Sequence, residues 1–126
     1  MHKSRLGALI IDCQSDDLFT HAKFWGAALG SEPEKSGKQL NQKYIRLNGR
    51  EGEARVILQS VEHPSRVHID IETDNIEAEV NRLEGQGAVV VDRLQKWVVM
   101  EAPSGHRFCI IGPVRKDFDD HATRWD

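Results

Sequence analysis

The sequence predicts an α+β domain in which two βαβββ modules form one rolled, mixed, eight-stranded sheet around a small-molecule cleft. Two observations predict this class. Each half of the chain has an apolar or alternating run typical of a strand, then a helix with one apolar face, then three further strand-like stretches. The pattern of the first half recurs some 58 to 60 residues later, which indicates an internal duplication. The length of 126 residues suits a single domain.

The first module occupies about residues 5–60. It begins with an apolar run at 6–11, which predicts a buried strand, and a polar turn starts at Asp12. Four apolar residues then recur at the spacing of one helix face, and a glycine that can end the helix follows: Leu18, Ala22, Trp25, Leu29 and Gly30. Three strands are expected next, at about 32–35, 43–47 and 54–59, with a hairpin turn at 48–52.

The second module occupies about residues 65–112 and repeats this order. An alternating stretch at 67–72 predicts a half-buried strand. Asp74 and Glu77 have the spacing of a capping box at the start of a helix. That helix is marked by one apolar face and by glycines at its end: Ile76, Val80, Leu83, Gly85 and Gly87. Strands are then expected at about 88–91, 97–101 and 107–111.

The tail, residues 113–126, is rich in charged residues. It also contains two large apolar side chains, Phe118 and Trp125. We expect these to pack on the body of the protein or on a second chain, and a frayed end is the alternative.

Composition and charge narrow the class of protein. The chain is 39% hydrophobic and 29% charged, which is typical of a soluble folded protein. Its net charge is −3 and its basic residues are scattered, so neither nucleic acid nor a membrane is an expected partner. The apolar run at 6–11 is too short for an export signal. Cys13 and Cys109 form no CxxC pair, so we expect a cytoplasmic protein without a disulfide framework or zinc knuckle.

Four motifs resemble those of one protein superfamily: Phe24-Trp25-x3-Leu29-Gly30, Val67-His68-Ile69-Asp70, Gly87-Ala88 and Ala102-Pro103-Ser104-Gly105-His106-Arg107-Phe108-Cys109. Over roughly residues 6–113 the chain resembles the vicinal-oxygen-chelate superfamily, which includes glyoxalase I, extradiol dioxygenases and bleomycin-resistance proteins. It is similar in particular to the glyoxalase-like single-domain branch. The resemblance implies the paired-module fold and a homodimer, but it does not imply one reaction.

The resemblance also implies where metal ligands would lie, because members typically place one on the first and one on the last strand of each module. These positions fall here at Ala8, Gln59, His68 and Cys109. Alanine offers no ligand atom and the expected carboxylates are missing, so ordinary glyoxalase I and extradiol dioxygenase activities are disfavoured. No cofactor follows with certainty; a divalent metal held by His68, Gln59 and Cys109 is the weaker alternative.

Two residues are candidates for a catalytic role. The resemblance places His68 on a strand that faces the cleft, where a histidine can serve as acid or base near neutral pH. The alternative is a histidine that a backbone carbonyl satisfies. Glu101 is the second candidate, because a shift of strand register would let it replace the missing carboxylate.

Four further residues are candidates for the lining of a substrate pocket. Gln59 could orient a polar ligand group through its amide, or be a polar residue at a sheet edge. Asp70 shares a strand face with His68, which predicts either a wet cleft or a solvated surface. Trp97 could stack on a flat ligand, or fill a core or an interface. Cys109 could be a pocket thiol, although a small buried hydrophobe is the simpler interpretation.

These candidates support two functions. The first is an enzyme of lyase or isomerase type that binds a small oxygen-rich metabolite and moves a proton through His68. The alternative is a non-catalytic binder or sequestering protein of the bleomycin-resistance type, which would explain the missing ligands directly. A regulatory or assembly module is a third, weaker interpretation.

Overall fold

The computed structural model describes residues 1–34, 43–49 and 52–126. Within these residues the chain forms three helices and eight strands. In chain order these elements are β1 (His2–Cys13), α1 (Leu18–Leu29), β2 (Tyr44–Arg46), β3 (Arg55–Ser60), β4 (Arg66–Thr73), α2 (Ile76–Gly85), β5 (Val89–Arg93), β6 (Trp97–Glu101), β7 (Arg107–Ile111), α3 (Phe118–His121) and β8 (Thr123–Trp125). The strands form one mixed sheet, with the parallel pair β4–β7 and antiparallel pairs such as β6–β7. The predicted α+β class and mixed eight-stranded sheet are therefore confirmed.

The chain divides into two compact units. One comprises Leu9–His68, and the other comprises Met1–Ala8 together with Ile69–Asp126. We call the first the α1 unit, after its described helix, and the second the α2 unit, after the longer of its two helices. Among the described residues no helix has the length and hydropathy of a membrane span, since the longest, α1, has 12 residues.

In the α1 unit, the helix packs its apolar face on the strands. The buried core comprises Cys13, Leu18, Ala22, Ile45, Leu47 and Leu58. The helix begins after Asp17, whose carboxylate accepts a hydrogen bond from the Thr20 backbone N–H. It ends before Gly30, whose φ of 71° lies in the left-handed region that favours glycine. The helix predicted from apolar spacing, and its glycine stop, are confirmed.

The strand predicted at about 32–35 is reduced to a single antiparallel bridge between Pro33 and Leu47. Proline has no backbone N–H to donate, which limits a longer ladder at this point. Three residues of this predicted strand and of the predicted turn at 48–52 lie outside the described part of the chain: Lys35, Arg50 and Glu51. The other two strands predicted for this half correspond to β2 and β3.

In the α2 unit, α2 packs on β5, β6 and β7. The buried core comprises Val80, Ala88, Val98, Met100 and Ile110. Strands β6 and β7 have the predicted bounds, and β5 lies one to two residues beyond the prediction. Alternating burial along β6 places every second side chain against the helix, as a half-buried strand requires.

The capping box predicted at Asp74 and Glu77 is wrong. Asn75 is the N-cap of α2, and its side-chain oxygen accepts a hydrogen bond from the Ala78 backbone N–H at 3.1 Å. The Asp74 carboxylate instead accepts from the backbone N–H of Lys3 at 2.9 Å. Because β4 continues to the residue before Asp74 and that carboxylate binds β1, the next residue becomes the cap.

The tail docks on the α2 unit, and the alternative of a frayed end is wrong. Phe118 is buried. Strand β8 pairs antiparallel with the start of β1, and the Trp125 indole N–H donates to the Ser4 hydroxyl at 2.9 Å. The Arg82 guanidinium lies 3.7 Å from the centre of the Trp125 ring. The eighth strand of the sheet is thus contributed by the tail and not by the residues near Pro33.

Candidate functional site

A buried carboxylate lies beside an imidazole in the α1 unit. The side chain of Asp12 is 1% exposed, and its Oδ2 lies 2.9 Å from Nδ1 of His68. A carboxylate can only accept, so the geometry assigns the proton of this hydrogen bond to Nδ1. Nε2 of the neutral imidazole is then the basic nitrogen. The pair has the arrangement of a histidine base with an orienting carboxylate.

The local fold explains why Asp12 faces away from the helix. Ile11 and Cys13 pack in the core beneath α1, and alternate residues of a strand point to opposite sides. Burial, and to a smaller degree the Asp12 carboxylate, raise the pKa of the Cys13 thiol. Cys13 therefore acts as a protonated core residue, and the opposite side of β1 carries the polar group.

Sequence reasoning placed Asp12 at the start of a polar turn, and this was wrong because β1 extends through Cys13. The signal that was available is an acidic residue directly after an apolar strand run. Its imidazole partner lies 56 positions further along the chain, so spacing alone does not connect them.

Two more basic side chains approach the same carboxylate oxygen. Nε of Arg66 lies 3.6 Å and Nε2 of His63 lies 3.8 Å from Oδ2 of Asp12. The other oxygen, Oδ1, is buried and accepts no hydrogen bond from any described residue. An unsatisfied buried carboxylate oxygen costs free energy, which is typical of a functional position.

Gln59 lies on β3 of the same unit. It follows the core residue Leu58, so it faces away from α1. Its amide nitrogen donates to the hydroxyl of Tyr44, its register partner on β2, at 3.3 Å. The predicted pocket role of Gln59 stays a prediction, with the amide nitrogen already engaged.

The other four predicted site residues lie on one face of the sheet in the α2 unit. Strand register aligns Asp70 with Cys109, and alternation places Cys109, Trp97 and Glu101 opposite the residues packed on α2. The Trp97 side of this face is partly open, since Trp97 is 39% exposed. Two carboxylates, a thiol and an indole thus lie on one face of the sheet.

Glu101 has a basic neighbour on this face. Its Oε1 lies 3.6 Å from Nε of Arg107, its register partner, and both side chains are exposed. An exposed pair of this kind contributes little to stability. The predicted catalytic role of Glu101 stays a prediction.

The four-ligand metal site that the superfamily resemblance implies does not fit the residues present. The buried methyl group of Ala8 has no donor atom. The Gln59 amide is a weak ligand and is hydrogen-bonded to Tyr44. These four positions therefore do not form a complete ligand set, and the proposed chemistry uses no metal at them.

Comparison with known proteins identifies a family and several proteins of similar fold. The family model of the glyoxalase-like domain matches residues 8–111. Among curated proteins none matches the chain by sequence. The fold is similar to that of the NAD-dependent benzaldehyde dehydrogenase from Legionella pneumophila, at 10% identity and a TM-score of 0.61, over 82% of this chain and 96% of that chain.

Two further solved structures are similar. Methylmalonyl-CoA epimerase from Mycobacterium tuberculosis is 14% identical, with a TM-score of 0.58 over 88% of this chain and 89% of that chain. The 2,2',3-trihydroxybiphenyl 1,2-dioxygenase from Sphingomonas wittichii strain RW1 is 17% identical, with a TM-score of 0.54 over 90% of this chain and 42% of that chain. At these identities the likeness shows the fold alone.

Proposed function

Because the chain belongs to the glyoxalase-like domain family of the vicinal-oxygen-chelate superfamily, we propose that it binds a small oxygen-rich metabolite and transfers a proton through His68. One observation supports this most strongly: the buried Asp12 carboxylate lies 2.9 Å from His68 Nδ1. That contact orients the ring and favours the tautomer in which Nε2 can accept a proton.

In the proposed step, Nε2 of His68 removes a proton from a carbon next to a carbonyl group of the metabolite. The C–H electron pair passes into an enolate, and the imidazole becomes an imidazolium. The negative charge of Asp12 stabilises that imidazolium. Return of the proton from the imidazolium to a neighbouring atom on the same face of the enolate isomerises the molecule. One base is sufficient for this isomerisation, because Nε2 both removes and returns the proton.

The test is exchange of carbon-bound protons in deuterated water. We expect the protein to catalyse deuterium incorporation into at least one member of a panel of 2-oxo acids, 2-hydroxy ketones and acyl thioesters, followed by NMR. His68→Gln should lower that rate at least about 100-fold, because a general base contributes about 10²–10⁴. His106→Gln is the matched control, since His106 lies in an exposed hairpin and contacts Ser104. Absence of exchange across the panel, or exchange that survives His68→Gln, would contradict the proposal.

A second function, non-catalytic binding of a planar compound in the manner of bleomycin-resistance proteins, is favoured by Trp97. This indole is 39% exposed on a sheet face, where an aromatic plate can stack on a ligand. In this case an aromatic ligand should raise the melting temperature and quench tryptophan fluorescence without being converted. Trp97→Leu should remove both effects, while His68→Gln leaves both intact. A ligand series that never stabilises the protein would exclude this second function.

A further inference from the structure

We propose that the site around His68 selects metabolites that carry a carboxylate group, and that Arg66 is the residue that binds it. This inference rests on the proposed function, because it names the substrate class of the same site. The observation behind it is that three basic side chains lie within 4 Å of Oδ2 of Asp12: His63, Arg66 and His68.

The charged groups near Asp12 differ in their exposure to solvent. Asp12 itself is 1% exposed, whereas the side chains of Arg66 and His63 are 52% and 39% exposed. The two basic side chains near Asp12 are therefore more accessible to an incoming molecule than its carboxylate is. A ligand with a negative charge approaches the guanidinium before it approaches the carboxylate.

Arg66 has donors to offer such a ligand. Its Nε is 3.6 Å from Asp12 Oδ2, which is beyond ordinary hydrogen-bond distance. Among the residues that the structure describes, none forms a hydrogen bond with the Arg66 side chain. A guanidinium presents five N–H donors in a planar fork that matches the two oxygens of a carboxylate.

The spacing of Arg66 and His68 suits one small ligand. They lie two residues apart on β4, so they share a strand face and their Cα atoms are separated by roughly 6.6 Å. A carboxylate bound at Arg66 would place the adjoining carbon atoms near the imidazole. The proton removed by His68 would then come from a carbon one or two bonds from the carboxylate, as in a 2-oxo acid.

Binding should be measured at equilibrium, with pyruvate, 2-oxobutyrate and phenylpyruvate compared with their methyl esters by NMR titration. We expect at least one acid to bind at least tenfold more tightly than its ester. Arg66→Gln should remove that preference, and Arg66→Lys should restore part of it, because lysine keeps the charge and loses the fork. Arg93→Gln is the matched control: Arg93 also lies on a strand with about half its side chain exposed, and it pairs with Glu77.

The outcomes separate this inference from the proposed function. Equal binding of acids and esters, binding of neither, or an acid preference that survives Arg66→Gln would overturn the role of Arg66. Acid binding that depends on Arg66 in a protein that exchanges no protons would uphold the substrate class and contradict proton transfer. Because Arg66 is exposed, thermal unfolding of each variant should match the wild type, which excludes misfolding as the cause.

Discussion

Replacing Glu79 by glutamine should lower the free energy of unfolding by about 3 kcal/mol, because it breaks the ionic contact of a fully buried carboxylate. The Glu79 side chain is 0% exposed. Its two oxygens accept hydrogen bonds from Nε and a terminal nitrogen of Arg82, both at 2.8 Å. One of them also lies 2.8 Å from Nε2 of His2. The amide of glutamine cannot accept at both positions, and it leaves the Arg82 charge uncompensated. Urea unfolding followed by circular dichroism measures the change.

Glu77→Gln is the control for Glu79→Gln. Glu77 lies two residues earlier on the same helix and pairs with Arg93, but both side chains are exposed. Loss of an exposed pair costs less than about 1 kcal/mol. If the two variants lost similar free energies of unfolding, burial of the Glu79 carboxylate would not increase the contribution of its ion pair to stability.

The Glu79 contact also predicts how stability depends on pH. Burial raises the pKa of the Glu79 carboxyl, but hydrogen bonds, first from Arg82 and then from His2, outweigh burial and lower the pKa from 4.5 to about 2. A pKa that is lower in the folded protein stabilises the fold above the unfolded value. This contribution should be complete above about pH 4.5 and lost as the pH falls towards 2. The variant should lack this part of the acid dependence.

The elements that could be predicted from sequence are those specified by local spacing. The apolar face of α1 and its stop at Gly30 are visible within 13 consecutive residues, from Leu18 to Gly30. Strand β6 has its predicted bounds for the same reason. The N-cap of α2 was misassigned, because the Asp74 carboxylate is bound by Lys3, a residue of β1 that no local pattern identifies.

The residues of the candidate site also differ in how far the sequence could identify them. His68 could be identified as a candidate from a motif, whereas its contact with Asp12 could not, because strands distant in sequence bring the two together. Arg66 and His63 were missed for a related reason. Each has an unremarkable sequence context, and their significance comes from their distance to one buried oxygen. Paired charges at long sequence separation are a property of the fold and not of any segment.

Asp12→Asn should slow proton transfer by His68 on the order of 10⁴-fold, the size of effect seen when a histidine base loses its orienting carboxylate. The amide removes the negative charge that stabilises the imidazolium. It can also donate its N–H to Nδ1, which would move the ring proton to Nε2 and block that nitrogen as a base. The rate of deuterium incorporation into the substrate found for the wild type measures the loss.

A readout that does not depend on turnover gives this prediction its control. The ¹⁵N chemical shifts of His68 should report a proton on Nδ1 in the wild type and a shift of the proton to Nε2 in Asp12→Asn. Asp16→Asn should change neither the shifts nor the rate, because Asp16 is an exposed residue in the loop after β1. A variant at position 12 that kept the wild-type tautomer and rate would show that the carboxylate does not orient the base. A changed tautomer with an unchanged rate would show that His68 is not the base, since the chemistry would then be insensitive to which nitrogen carries the proton.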